Sequence, residues 1–183
     1  MHAPAPSQHP VDLQAPLTNF SQCHAGITKQ IEALATLPEL AQAAQRAREV
    51  AAGAEALFRD AVLEHHAEEE RYLFPAVLRS AADGAERELV DGMVQQLTAE
   101  HRVLESMWSR LRPAVHAAAQ GRPAALDAAL AGQLVRDYLQ HARFEEEQFL
   151  PLAATILRRN GDHLAALGLA LHLRHAPQPV GYI

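Results

Sequence analysis

Apolar residues recur at every third or fourth position along most of the chain, which is the period of one face of an α-helix. The first such stripe predicts a helix from about Leu17 to Leu37, with His24 among its apolar positions. A second stripe predicts a helix that ends near Arg79. We place the boundary between the two at residues 36–39, because Pro38 is compatible only with the first turn of a new helix.

Two more helices follow the same pattern. The third begins after Asp83-Gly84 and ends near Gly121, with a bend expected at Pro113. The fourth follows Arg122-Pro123, and a break at residues 160–162 precedes a shorter amphipathic segment. We therefore predict an all-α fold: an antiparallel up-down-up-down four-helix bundle with a short extra C-terminal helix.

The composition indicates a single helical domain. The chain has 183 residues, of which 49% are hydrophobic and only 5% aromatic, and alanine and leucine dominate. Residues 1–16 contain several prolines and little apolar surface, so we expect a flexible tail there. Residues 17–159 would form the bundle, and residues 160–183 a C-terminal helix and tail.

Charge and hydropathy exclude several classes of partner. The net charge is −6 and no run of lysine or arginine is present, so we do not expect nucleic acid to bind. No apolar stretch approaches the roughly 20 residues of a membrane span, and prolines interrupt the first ten residues where a signal peptide is apolar. We therefore expect a cytoplasmic protein without a membrane partner. The single cysteine excludes an intrachain disulfide and a thiolate metal site.

The chain contains eleven histidines, and some of them are paired with glutamates. Two of the predicted helices carry a His-x3-Glu motif, and the other two carry one histidine each within the apolar stripe. Residues four apart share a helix face, so each motif offers an imidazole and a carboxylate to one place. The six candidate metal ligands are His24, His65, Glu69, His101, His141 and Glu145.

A metal site explains these residues better than a purely structural role. A single histidine in an apolar stripe is more often a core residue bonded to a backbone carbonyl than a ligand. Two glutamates in a core, however, need compensation for the loss of water, and few basic residues lie on these stripes. One cationic centre accounts for the four imidazoles and the two carboxylates together.

The donor set narrows the choice of metal. Imidazole and carboxylate without thiolate suit iron, zinc or manganese, and six protein ligands exceed the needs of one tetrahedral zinc ion. Two carboxylates can bridge two ions and leave two imidazoles for each, with room for an oxo or hydroxo bridge and an open position. The rival ferritin-like bundles use Glu-x-x-His, and no histidine of the predicted folded part has a glutamate three residues before it.

The two motifs belong to a longer internal repeat. Residues 63–75 and 139–151 share His-x3-Glu-Glu, and in each a proline follows ten residues after the histidine. Together with the single histidines of the other helices, this ordered set over residues 18–157 resembles the hemerythrin HHE cation-binding family. The resemblance implies two iron ions, with Glu69 and Glu145 as bridging carboxylates and four terminal imidazoles: His24, His65, His101 and His141.

One position departs from the pattern of the oxygen carriers in that family. They have a second histidine one turn after the ligand of the third helix, where this chain has Glu105. Glu105 is a further ligand, a hydrogen-bond partner of a ligand imidazole, or a solvated residue. The neighbouring His66 is an alternative to His65, but the shared spacing to the prolines favours His65 together with Glu69.

The resemblance then extends to the four-histidine, two-glutamate proteins linked to iron-sulfur repair and nitric oxide defence. We expect a protein that binds or reduces O2, NO or peroxide at an open iron position, in stress handling or iron homeostasis. A protein redox partner is compatible with that role, and zinc or manganese are the weaker alternatives to iron. The two rival functions are an O2 or iron sensor or store without turnover, and an oxygenase acting on an organic substrate.

Overall fold

The structure, a computed structural model, describes residues 15–159, apart from the side chains of residues 15–19 and 21. Within that range the chain is helical and contains no strand, which confirms the all-α prediction. Most of the predicted N-terminal tail and all of the predicted C-terminal helix lie outside the described residues. Among the helices described, none is both long and apolar enough to cross a membrane.

Two units divide the chain, residues 1–46 and residues 47–183. The first contains α1 (Ala15–Ala33), a 3-10 turn (Leu34–Thr36) and the beginning of α2 (Leu37–Leu57). The apolar stripe predicted for the first helix is present, but its described side chains are exposed: Phe20, Ile27, Ile31 and Leu34.

The number of helices differs from the prediction. Helical residues follow one another without a loop from 15 to 80, so the described residues form three helical runs and not four. Pro38 lies at the second position of α2, where a missing N–H group disrupts no hydrogen bond. The backbone N–H of Leu37 donates to Leu34 O, so the 3-10 turn continues the helix where a loop was expected.

The second unit consists of the remainder of that first run and two further runs. Three of its turns are π-helical and interrupt regular α-helix, and we name them π1, π2 and π3. In chain order the elements after α2 are π1 (Phe58–Val62), α3 (Leu63–Glu68), π2 (Glu69–Leu73), α4 (Phe74–Ser80), α5 (Ala85–Ala119), α6 (Ala128–Phe144), π3 (Glu145–Phe149) and α7 (Leu150–Arg158).

Local chemistry explains the ends of α5 and α6. Gly84 precedes α5 and Gly121 follows it, with φ angles of 91° and 67° that side chains with a Cβ rarely adopt. Pro113 lies inside α5 without ending it. The fourth predicted helix begins at Ala128 and not directly after Pro123, because the Asp127 carboxylate accepts a 2.9 Å hydrogen bond from Leu130 N and caps the helix.

A proline follows each of the two π turns that begin with glutamate. Proline has no N–H, and its ring collides with the carbonyl four residues earlier in a regular helix. In the turn before Pro75, Phe74 N donates to Glu69 O, and before Pro151 the equivalent bond joins Leu150 N and Glu145 O. The local break predicted at Pro75 is confirmed in the form of a widened turn.

Two apolar clusters fill the interior of the second unit. The first contains Phe58 stacked on Trp108, with ring centroids 4.1 Å apart. The second contains Phe74 and Phe149 in edge-to-face contact at 5.3 Å. Each helical run contributes to both clusters, and its buried histidines and glutamates lie between the two contributions along the sequence. A polar band therefore separates two hydrophobic cores.

Candidate metal centre

Three buried imidazoles form one side of the polar band, and we call them the imidazole group. They are His66 of α3, His101 of α5 and His141 of α6. One ring nitrogen of each lies within 4.8 Å of those of the other two. The rings of His66 and His101 are stacked, with centroids 3.9 Å apart and planes 5° apart, and His141 meets His101 edge-on at 4.9 Å.

Carboxylates hold two of these rings by their Nδ1 atoms. Nδ1 of His101 lies 2.8 Å from Oε1 of Glu70, and Nδ1 of His141 lies 2.9 Å from Oε2 of Glu100. A carboxylate at Nδ1 favours the tautomer with the proton there, which leaves the lone pair on Nε2. This carboxylate–imidazole arrangement is the usual outer support of a histidine metal ligand.

The third ring has the same kind of neighbour at a longer distance. Nδ1 of His66 lies 3.4 Å from Oε1 of Glu105. The Arg102 guanidinium donates to Glu105 at 3.0 Å and also contacts Glu70. Of the three roles left open for Glu105, the structure agrees with a hydrogen-bond partner of an imidazole. Arg102 contacts both Glu105 and Glu70, the carboxylate at Nδ1 of His101.

The inward nitrogens of the imidazole group have no such partner. Nε2 of each of its three histidines is buried and has no hydrogen-bond partner. One carboxylate oxygen each of Glu69 and Glu145 is also buried without a partner. Buried polar atoms without partners are rare in proteins and energetically costly. A cation bound among them would satisfy these atoms together, so the residues fit a metal centre.

The carboxylates and the remaining histidine form a second set, which we call the carboxylate group: His65, Glu69 and Glu145. Its ligand atoms lie within 4.8 Å of one another, and Nε2 of His65 is 3.4 Å from Oε1 of Glu69. The two glutamates are buried, whereas the His65 side chain is 48% exposed. The groups adjoin, since Glu69 Oε2 is 3.4 Å from His101 Nε2 and Glu145 Oε2 is 3.7 Å from His141 Nε2.

Glu145 has a neighbouring carboxyl group that disfavours its ionised form. Burial, followed by the charge of Glu69, raises the pKa of Glu145 to about 8. Burial also raises the pKa of Tyr138, and the two glutamates add to that shift. Glu145 is therefore mostly protonated at neutral pH in the metal-free protein, and a bound cation would favour its ionised form.

Burial acts on the imidazoles in the opposite sense. Burial, followed by the neighbouring imidazoles, lowers the pKa of His66 to about 3. Burial also lowers the pKa of His141, although Glu100 opposes the shift. For His101 the desolvation is outweighed by two adjacent glutamates, so its pKa is raised. A neutral imidazole keeps the lone pair that a metal ligand needs.

The structure brings together five of the six residues proposed as ligands from the sequence. His101 and His141 lie in the imidazole group, and the other three form the carboxylate group. The sixth, His24, is an exposed residue of α1 in the first unit, and its role as a ligand stays a prediction.

Several residues of the site were missed or undervalued in the sequence. His66 is more deeply buried than His65, and Glu100 is absent from the predicted site. One signal for His66 is present in the sequence, since Phe58 and Val62 precede it at four-residue spacing and are bulkier than Leu57 and Ala61, which precede His65 at the same spacing. No signal in the sequence alone pairs Glu100 with His141, because 41 residues separate them.

A surface cleft of about 370 Å³ reaches the outer side of the centre between α5 and α6. His141 and Glu100 line it, together with Gln96, Gln140 and apolar residues. Since Glu100 occupies the Nδ1 side of His141, a molecule in this cleft contacts the support of the imidazole before it reaches the inward nitrogens.

Comparison with known families agrees with this geometry. A family model for the hemerythrin HHE cation-binding domain matches residues 15–153. This chain therefore belongs to the hemerythrin HHE cation-binding family, and its histidines and glutamates form a candidate metal site. Neither the curated proteins nor the solved structures gave a match.

Proposed function

We propose that this protein is a non-haem di-iron protein that binds or reduces O2, NO or peroxide. The observation that carries the proposal is the set of buried ligand atoms without hydrogen-bond partners on His101, His141, Glu69 and Glu145, in a family of cation-binding domains. When two iron ions are bound, they supply an open coordination position and electrons for a small oxidant. The chain supplies the ligands and their orientation, and it excludes bulk water from the inward atoms.

The donor types support iron as the metal. Imidazole and carboxylate without thiolate suit iron, while zinc and manganese remain the weaker alternatives. The adjoining positions of Glu69 and Glu145 support bridging roles between two ions, with an oxo or hydroxo bridge beside them. His65, His101 and His141 are the proposed terminal ligands in the second unit. Family membership supports His24 as the fourth.

The burial of the inward nitrogens favours a small ligand over an organic substrate. Their solvent exposure is close to zero, so an organic molecule cannot approach them without a rearrangement of side chains. The cleft beside His141 is the feature that favours an oxygenase, but Glu100 lies between the cleft and the inward nitrogen of that ring. We further propose a role in oxidative or nitrosative stress or iron homeostasis, in the cytoplasm, with a protein redox partner as the electron donor.

Metal content per chain tests the centre itself. We expect mass spectrometry to find about two irons per chain in protein purified from iron-supplemented cells. His141→Ala removes a buried ligand and should lose most of the metal, whereas His116→Ala, at an exposed histidine paired with Glu55, should retain it. Zinc in place of iron, or equal metal in both variants, would overturn the proposal.

Reactivity separates the proposed function from its rivals. We expect the reduced iron protein to react with NO, O2 or peroxide within seconds in a stopped-flow spectrometer, and to turn over when a reductant is supplied. A stable adduct without turnover would identify a sensor or a store. Oxidation of a bound organic molecule in preference to these ligands would identify an oxygenase.

A further inference from the structure

We infer that His66 is itself a metal ligand and completes a three-imidazole position for one ion, distinct from the carboxylate position that holds the other. This inference rests on the proposed metal centre and specifies its coordination. It makes the two halves of the centre chemically unequal. The motif spacing instead assigned the ligand of this helix to His65 alone.

Burial and convergence are the first argument. Nε2 of His66 is buried and has no hydrogen-bond partner, and one ring nitrogen of His66 lies within 4.8 Å of a ring nitrogen of His101 and of His141. A core histidine in a structural role would donate or accept a hydrogen bond through Nε2. The Nε2 atoms of the two other histidines are also buried without hydrogen-bond partners.

Orientation is the second argument. Nδ1 of His66 faces Glu105, just as Nδ1 of His101 faces Glu70. Arg102 contacts both carboxylates, so one guanidinium restrains the supports of two stacked rings. Each of the two imidazoles thus has at Nδ1 a carboxylate that Arg102 contacts, and neither Nε2 has a hydrogen-bond partner, although Glu69 Oε2 lies 3.4 Å from that of His101. A role as ligand for one of them implies the same role for the other.

The position of His65 is the third argument. Consecutive helix residues project about 100° apart, so His65 and His66 face different directions. Nε2 of His65 lies 3.4 Å from Glu69 and belongs to the carboxylate group, which is partly open to solvent. The two adjacent histidines therefore bind different ions. His66 is then a ligand in addition to His65 and not an alternative to it.

The consequence is an unequal pair of ions. One ion would have three imidazole ligands from the second unit and the other only His65, while Glu69 and Glu145 bridge the two ions, so the donor sets of the ions differ. We expect the two positions to fill with different affinities. The ion held by three imidazoles is the more deeply buried of the two.

Cobalt(II) is the probe for testing this assignment. Its paramagnetism shifts the Nδ1–H proton of a ligated imidazole far from other proton signals, and a carboxylate partner protects that proton from exchange with water. In the whole chain loaded with cobalt we expect such protected signals from His66, His101 and His141. The His66→Gln variant should lack one of them and bind one ion fewer per chain than the wild type. His116→Gln serves as the control and should match the wild type.

Folding of the His66→Gln variant is checked on the metal-free protein by circular dichroism. A second variant, Glu105→Gln, leaves every proposed ligand in place and keeps the inference testable if the first variant unfolds. We expect it to accelerate the solvent exchange of one protected signal, that of His66, and to weaken binding of one ion by at least tenfold.

The outcomes separate the inference from the proposed function. A wild-type protein that binds neither iron nor cobalt would overturn both. Binding by the wild type, with unchanged stoichiometry and signals in the folded His66→Gln or Glu105→Gln variant, would overturn only the role of His66. Loss of one signal and one ion in the His66 variant would establish it.

Discussion

The imidazole group and the carboxylate group lie side by side, yet the protein supports them in different ways. Each ring of the imidazole group has a carboxylate at its outer nitrogen, and the group is fully buried. In the carboxylate group two buried acids adjoin each other, and the only imidazole is half exposed. One group is oriented by its neighbours, and in the other the surroundings of Glu145 disfavour its ionisation.

This difference shows how one centre can combine preorganised ligands with a metal-free state that a bound cation stabilises. Neutral imidazoles held at Nδ1 need little rearrangement to accept an ion. Two buried carboxylates, in contrast, destabilise the metal-free protein, and a cation between them removes that penalty. Preorganisation should therefore control the geometry of binding, and the carboxylates should control how much stability the metal adds.

Removal of the metal should have the largest effect on the carboxylate group and on the whole protein. We expect chelation to lower Tm by roughly 10 °C or more, since saturating ligand at about 1,000 Kd adds on the order of 4 kcal/mol per site. Calorimetry of the iron-loaded and the chelated protein measures the difference. Equal Tm values in the two forms would contradict a cation between the carboxylates.

Glu145→Gln should have opposite effects in the two states. In the metal-free protein at neutral pH, the raised pKa of Glu145 means that folding takes up a proton. The glutamine avoids this cost, so we expect the free energy of unfolding to rise by about 1 kcal/mol after solvent screening is allowed for. In the presence of iron it should lose a bridging ligand and most of the metal. Urea titration of each form is the measurement.

Glu147→Gln is the matched control for that comparison, since this exposed glutamate lies in the same π3 turn. It should change neither the stability of the metal-free protein nor its metal content. A metal-free Glu145→Gln variant that is less stable than the wild type would show that the carboxylate pair is not repulsive.

Glu100→Gln should weaken the support of one ring in the imidazole group without removing a ligand. The carboxylate 2.9 Å from Nδ1 of His141 is lost, and we expect metal affinity to fall by about 10–100-fold. Competition with a chromophoric chelator measures the change. Glu88→Gln, at an exposed position of the same helix, is the control and should leave the metal affinity unchanged. A Glu100→Gln variant with the metal affinity of the wild type would argue against a supporting role of Glu100 at His141.

The smallest effect is expected outside both groups. Arg159 donates a 2.6 Å hydrogen bond to Glu86, and Ala82 N donates another, so the pKa of Glu86 is lowered. Its ion pair stabilises the fold above the unfolded-state pKa, and that stability is lost as pH falls through the lower folded-state value. Glu86→Gln should therefore lower Tm at neutral pH by about one degree, without affecting metal content. A Tm loss that persists in acid would exclude this ionic origin.

The sequence predicted α5 and α6 better than the helices before them, for a physical reason. Leu97, His101 and Leu104 follow an undisturbed α-helical period, and all three are buried as expected. In the second predicted helix, two π turns each add a residue to the turn and shift the buried face. Leu57 precedes the predicted ligand His65 by eight residues, which is close to the same face of a regular α-helix, yet it is 55% exposed, whereas Phe58 is buried.

The candidate site was predictable in its composition but not in its full arrangement. Spacing of four residues was enough to pair Glu69 with His65 and Glu145 with His141. The burial of His66 depends on π1, because this turn changes which residues of the following helix face the core. A prediction that assumes 3.6 residues per turn throughout does not account for that change. The outer carboxylates depend on contacts between different helices, which spacing within one helix does not specify.

The polar band between the two apolar clusters has a consequence for how the second unit unfolds. Without a cation, hydrophobic contact is interrupted at the middle of all three helical runs, and each cluster depends on its own packing. A bound ion joins side chains from every run at that level. We therefore expect metal occupancy to set cooperativity: one transition when the centre is filled, and separate loss of the two cores when it is empty.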